Sequence, residues 1–213
     1  MISSAKFWDD AAPKYAKTPI KDEESYRYTL ERTRSYLGAQ DYILEIGSGT
    51  GSTAMDLAPN VAHITATDIS PKMIEIGQKK AKAHGIENVS FQVASAALRD
   101  IDGPFDAVLA HNVLHLVDDL PSTLGRAHAL LKPGGTFVSK TFCKPRGFGP
   151  AIYYAMCLAL PVMKLLGKAP NVLFLAIEEL EGAITAQGFE IIESGSYPAK
   201  ELRRYIVARR PVA

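Results

Sequence analysis

Three glycines at alternate positions, Gly47, Gly49 and Gly51, directly follow the bulky apolar run Tyr42, Ile43, Leu44 and Ile46, and Glu45 stands two residues before the first of them. The run reads as a buried strand and the glycines as a sharp turn at its end. Glycine takes backbone angles that other residues avoid, and without a Cβ it lets a ligand approach the main chain closely. Thr50 and Ser52 follow, and either can cap the helix that begins there. Strand, turn and helix start together form a nucleotide-type cradle whose free N–H groups favour a carboxylate or phosphate. The dinucleotide fingerprint G-x-G-x-x-G needs glycine where this chain has Ser52, so the pattern here is G-x-G-x-G.

Three further groups fall where such a cradle can use them. A second strand over 61–67 ends at Asp68, an acid about twenty residues past the first glycine and so placed to accept hydrogen bonds from ribose hydroxyls; its plain role would be capping. A third strand, 89–93, ends at Ala94-Ser95-Ala96, and a fourth, 105–110, ends at His111-Asn112. His111, with an ordinary pKa near neutrality, is a candidate general base, and His115 lies one helical turn later. Shaping a pocket is the alternative role for both. Tyr15, Tyr153 and Tyr154 are further candidates on the acceptor side.

The elements that must position these groups alternate. A helix opened by Ser70 and Pro71 runs to Gly85, and another over 121–131 closes in Lys132-Pro133-Gly134-Gly135, read as a turn into a fifth strand, 136–142. Strands alternating with helices predict a doubly wound, mostly parallel α/β sheet, whose ligands lie beyond the C-terminal strand ends. The glycine turn, Asp68, Ser95 and His111 all fall on that edge. Residues 3–37 read as two helices. The first carries the stripe Phe7, Trp8, Ala11, Ala12, Tyr15 with a bend expected at Pro13; the second carries Tyr26, Leu30, Thr33 and Leu37 and is stopped by Gly38. This arm either packs on the sheet or forms a flap over the glycine turn.

Residues 143–170 break the rhythm. Phe148 to Met163 carries no charge, and Lys144, Arg146, Lys164 and Lys168 flank it. The run falls short of the roughly 20 residues that span a bilayer, so it reads as a lid over an apolar substrate, a core helix, or an interfacial segment touching a membrane. A helix over 171–187 and two antiparallel edge strands, 189–197 and 202–209 with a break at Pro198, finish the chain.

The chain's 213 residues suit one domain, and a net charge of +1 gives no global field for nucleic acid. Cys143 and Cys157 make neither a disulfide framework nor metal-ligand spacing, no metal site is expected, and each reads as a small buried hydrophobe. Without a signal-peptide pattern, the expected location is cytoplasmic.

As an ordered set, four motifs resemble class I S-adenosylmethionine-dependent methyltransferases: Ile43 to Gly51, Thr67 to Met73, Phe105-Asp106-Ala107-Val108, and Leu130 to Gly135. Phe7-Trp8-Asp9 with Tyr15 resembles the arm of the quinone-methylase-like small-molecule branch. The resemblance implies a Rossmann-like seven-stranded sheet with a reversed final hairpin. It implies that the glycine turn holds the methionine part of S-adenosyl-L-methionine, Asp68 its ribose, and Ile69 and Ala96 its adenine. The cofactor site is accordingly expected to draw on Trp8, Tyr15, Glu45, Gly47, Ser48, Gly49, Gly51, Asp68, Ile69, Met73, Ser95, Ala96, Ala110 and His111, with His111, His115 and Tyr15 as catalytic candidates. Where the family commonly has Gly-Asp-Ala, this chain has Ala94-Ser95-Ala96, which keeps a hydrogen-bonding group but loses the charge. The expected reaction is methyl transfer to a small, largely apolar acceptor. A membrane lipid or quinone as acceptor, a nicotinamide-dependent oxidoreductase, and a non-catalytic cofactor-binding protein are the alternatives.

Overall fold

The computed structural model describes residues 3–20, 22–145, 151–165, 168–197 and 202–212. Helices α1 (Ser4–Tyr15) and α2 (Glu23–Arg34) precede β1 (Tyr42–Ile46). Then α3 (Ser52–Leu57), β2 (His63–Asp68), α4 (Pro71–Ala83), β3 (Val89–Val93), β4 (Phe105–His111), α5 (Leu120–Leu130) and β5 (Leu131–Phe142) follow. Helix α6 (Ala151–Leu165) interrupts the alternation before α7 (Ile177–Ala186), β6 (Glu190–Ser196) and β7 (Arg203–Arg209). The strands form one sheet in the order β3-β2-β1-β4-β5-β7-β6. β1 to β5 are parallel, and β7 runs antiparallel to both β5 and β6. The strand order reverses between β1 and β4, where a ligand crevice opens beyond the strand ends.

Neighbouring residues on each central strand face opposite layers, which is why these strands read as unbroken apolar runs. Leu44, Val108 and Phe137 pack with Leu124 of α5 and Leu180 and Ile184 of α7 on one face. Ile43, Leu109 and Val138 pack with Leu30 of α2 and Leu57 of α3 on the other. The second arm helix is therefore part of the core.

Several expected boundaries move. α1 runs on through Pro13, since the Ala16 N–H still reaches the Ala12 carbonyl. α2 ends at Arg34, before Leu37; Gly38, whose φ is not positive, does not stop it and instead donates its N–H to Asp41. The turn expected at Lys132–Gly135 is strand: Gly134 N–H donates to the Arg210 carbonyl, Arg210 N–H to the Gly135 carbonyl, and the Arg210 guanidinium to the carbonyls of His128, Ala129 and Leu131. α7 begins at Ile177 rather than Asn171, because 171–176 is an extended strap: Leu173 N–H donates to the His115 carbonyl and Lys144 N–H to the Leu175 carbonyl. Cys143 is buried as expected, whereas Cys157 is only partly so. Arg146, Phe148, Pro198 and the side chain of Met156 lie outside the described residues.

Candidate functional site

The glycine turn is built on left-handed backbone, which glycine adopts without steric cost. Gly47, Gly49 and Gly51 have φ of +66°, +55° and +74°. A Cβ on Gly47 would stand 2.4 Å from Val113 Cγ2, and one on Gly51 2.5 Å from Phe91 Cε1. At Gly49 the nearest atom would be Tyr15 Cε1, at 3.6 Å. The outer glycines are thus packed from behind, and the middle one faces the space beneath Tyr15. Neither Thr50 nor Ser52 caps α3: Gly51 holds the cap position with no side-chain bond, and the buried Thr50 hydroxyl accepts from Lys80 Nζ at 2.9 Å.

The end of β2 holds the turn in place. Ser48 N–H donates to the Thr67 carbonyl at 2.8 Å, and Gly49 N–H to Asp68 Oδ2 at 2.9 Å. Asp68 Oδ1 accepts from Ser70 N–H at 2.9 Å. The acid therefore braces the loop, while each oxygen keeps acceptor capacity for a ligand. Burial raises its pKa against the pull of these bonds.

Glu45 is the most unusual group of the site. It is 2 % exposed, and its Oε2 has no hydrogen-bond partner among the described residues. Burial, reinforced by the charge of Asp68, pushes its pKa up to about 8. Ser48 Oγ is likewise buried without a described partner. Buried polar atoms are rarely left so. An ammonium group beside the glycine turn would satisfy both and favour the charged carboxylate, so these residues fit the amino-acid end of S-adenosylmethionine.

The arm closes over this end of the sheet. Asp9 accepts from Ser70 Oγ at 2.5 Å and Lys72 N–H at 3.0 Å, clasping α1 to the first turn of α4. The bond from Ser70 is the main reason its pKa is lowered. α2 thus packs on the sheet, one of the two roles expected of the arm, while α1 is held against α4 with Tyr15 near Gly49. Tyr15 lies over Gly49, its pKa raised by burial and by the charges of Asp68 and Glu45. Trp8 is half-buried and stacks edge-on with Phe7 at 5.1 Å. A cavity of about 390 Å³ opens between α1, the end of β2 and the end of α6, lined by Phe7, Ile69, Asp118, Lys164 and Pro170 among others; the glycine turn is not part of its lining.

The remaining expected residues are placed less directly. Met73 is buried in the first turn of α4, its N–H donating to Ser70 Oγ. Ala94 N–H donates to the Asp68 carbonyl, drawing the Ser95-Ala96 loop beside β2, and Ala96 packs on the core. Ala110 is fully buried among core residues on the face opposite Leu109. His111 ends β4 opposite Lys140. Asn112 then takes a left-handed φ of 56° and His115 sits in a short 3₁₀ turn, so no helical turn relates the two histidines. His111 Nε2 and His115 Nδ1 are buried without a described partner. Burial, with Lys140 beside the first and Arg203 beside the second, lowers both pKa values to about 4. The near-neutral pKa expected of a free histidine is therefore not theirs. Sequence reasoning names Asp9 only within the Phe7-Trp8-Asp9 motif, without its clasp to Ser70 and Lys72, and it misses Val113, since one more valine carries no local signal.

Among the described residues no cluster of His, Cys, Asp or Glu could hold a metal ion, and no helix is long and apolar enough to cross a membrane.

A family model for the methyltransferase domain matches residues 38–190. The chain belongs to the methyltransferase-domain family. The match takes in the glycine turn, Asp68 and His111 but leaves out α1 and α2. The demethylmenaquinone methyltransferase of Tropheryma whipplei (strain Twist) is 30 % identical over 145 residues, 67 % of this chain and 60 % of that protein. A ubiquinone/menaquinone biosynthesis C-methyltransferase of Zymomonas mobilis is 34 % identical over 119 residues, 55 % of this chain and 49 % of that protein. The matches thus span only half to three fifths of these relatives. The crystal structure of the cyclase SpnF superposes with a TM-score of 0.79 and 17 % identity, covering 100 % of this chain and 98 % of that one, so the two share a fold.

Proposed function

We propose that this single-domain chain transfers a methyl group from S-adenosylmethionine to a small, largely apolar acceptor. The observation that carries the reading is the buried, unpartnered carboxylate oxygen of Glu45 beneath a glycine turn at the switch point of the sheet. Glu45, Ser48 and the turn would hold the methionine end. Asp68 would take the ribose, and Ile69, Ser95 and Ala96 the adenine, with Trp8 and Tyr15 shaping the walls and the buried Met73 and Ala110 backing them from the core. The bound cofactor supplies a methyl group already activated on a sulfonium.

What is left to the protein is alignment and exclusion of water. α1, clasped by Asp9, covers the turn from one side. α6 and the 171–176 strap, joined by Tyr153 edge-on to Phe174 at 6.0 Å, cover the acceptor side as the lid. His111 and His115 are neutral at pH 7, so each offers a hydrogen-bond acceptor and only a weak base. That suits an acceptor whose attacking atom is nucleophilic without strong general-base help, such as an electron-rich quinol ring carbon or a thiolate. The names of the Tropheryma and Zymomonas relatives support a quinone-type acceptor.

The test is a melting-temperature shift with S-adenosylmethionine and with NAD, followed by detection of S-adenosylhomocysteine on adding a demethylated naphthoquinol. A shift with the first ligand alone and product release bear the proposal out. A shift without turnover on any of a panel of quinols, thiols and phenols would point to a cofactor-binding protein instead.

A further inference from the structure

From residue 120 to residue 177 the chain has no aspartate or glutamate, while it carries seven lysines and arginines. At the centre of this acid-free stretch lies α6, and its outward face is apolar. Leu158 is 80 % exposed, Val162 59 %, and Tyr154 and Met163 are exposed as well. Tyr154, Leu158 and Val162 recur every four residues, so they form one stripe along the helix. The opposite side is anchored by buried Tyr153 against Phe174. A contiguous apolar stripe left in water marks a contact surface.

We propose that this face of α6 docks the protein on the surface of an anionic lipid bilayer. Three observations select that occupant. First, the fifteen residues of α6 extend about 22 Å at 1.5 Å per residue, too short to cross but long enough to lie along an interface. Second, exposed Lys164 and Lys168 stand at the end of the stripe in a stretch free of acids; Asp118, which lines the same cavity as Lys164, is one acid near that end, and the two cations complement anionic headgroups. In a two-fold contact between copies of this chain, the same cations would recur on both sides with no acid of this stretch to meet them. Third, the end of α6 opens directly on the cavity of about 390 Å³, which Lys164, Ala169, Pro170 and Asn171 help to line. An apolar acceptor dissolved in the bilayer would thus meet the cavity mouth without crossing water.

The use of this surface rests on the proposed methyl transfer, but its binding is measured separately. Wild-type protein and a Leu158→Glu/Val162→Glu variant are sedimented with vesicles of phosphatidylcholine, alone or mixed with phosphatidylglycerol. The wild type is expected to bind the mixed vesicles more tightly than the neutral ones, and less tightly as salt rises. The double variant should lose at least about tenfold in affinity, the equivalent of the apolar area of two side chains. Its melting temperature and its affinity for S-adenosylmethionine should not change. Lys164→Glu/Lys168→Glu should erase the preference for the anionic vesicles. Equal binding of wild type and variants, or no wild-type binding, overturns the proposal. A concentration-dependent dimer abolished by the Leu158/Val162 variant reassigns the face to a second copy of the chain. Failure of wild-type protein to bind S-adenosylmethionine would instead sink the proposed function and leave the vesicle result standing.

Discussion

Replacing Glu45 by glutamine should push stability and ligand binding in opposite directions. In the folded protein the Glu45 carboxyl titrates at about 8, against an ordinary 4.5. A carboxyl with a raised folded pKa binds more protons in the native than in the unfolded state across that interval. Stability is therefore fully present below 4.5 and is lost as pH rises through about 8. At about 1.4 kcal/mol for each tenfold, the interval corresponds to roughly 5 kcal/mol as an upper figure, which relaxation of the site would reduce. Glutamine keeps the shape and carries no charge, but leaves its own amide short of one partner. Near pH 5, where Glu45 is protonated, the variant should thus lie within about 1 kcal/mol of wild type. Near pH 9 it should be more stable by about 2–5 kcal/mol. Denaturant unfolding at the two pH values reads the difference directly. The same variant should bind S-adenosylmethionine more weakly by about tenfold or more, because an ammonium facing a buried carboxylate loses a charge-assisted bond. If wild type and Glu45→Gln unfold in parallel at both pH values, Glu45 is not the strained acid described here. If calorimetry gives equal affinities, the ammonium does not sit beside it.

Gly49→Val should abolish the cofactor-induced rise in melting temperature, because it places a β-branched residue at a φ of +55° beneath Tyr15; a retained shift would move the site elsewhere. Asp68→Ala removes the brace on Gly49 and Ser70 as well as the proposed ribose contact, and a loss of at least about 1.5 kcal/mol in binding is expected by calorimetry. Asp9→Ala should free α1 from α4 and speed cofactor dissociation by roughly tenfold or less, since the clasp is half-exposed, and stopped-flow rates unchanged from wild type would show that α1 is no flap. Tyr153→Ser should raise the acceptor KM with cofactor affinity held; a global drop in melting temperature instead would make α6 ordinary core.

Much of this molecule is written in short-range pattern. The extents of α3 and β3, the capping of α4 by Ser70 and Pro71, and the reversed final pair of strands follow from periodicity and punctuation, which act within a few residues. The glycine turn is legible for the same reason, since left-handed backbone at alternate positions strongly favours glycine. So is the placing of Asp68 and His111 at strand ends, because parallel connectivity sends every such end to one edge.

What only the tertiary structure decided depends on partners distant in sequence. β5 gains its first residues because Arg210, far along the chain, satisfies carbonyls that a turn would have left to itself. α7 loses its first turn to a strap held by His115 and Lys144. Asp9 becomes a clasp only when Ser70, sixty-one residues away in sequence, stands opposite it. Most of all, the charge states are not local properties. Glu45 rises to about 8, and both histidines fall to about 4, through burial, a cost set by how completely the folded chain excludes water from each group. Residue type names the chemistry available, and packing determines which protonation state of it the site presents.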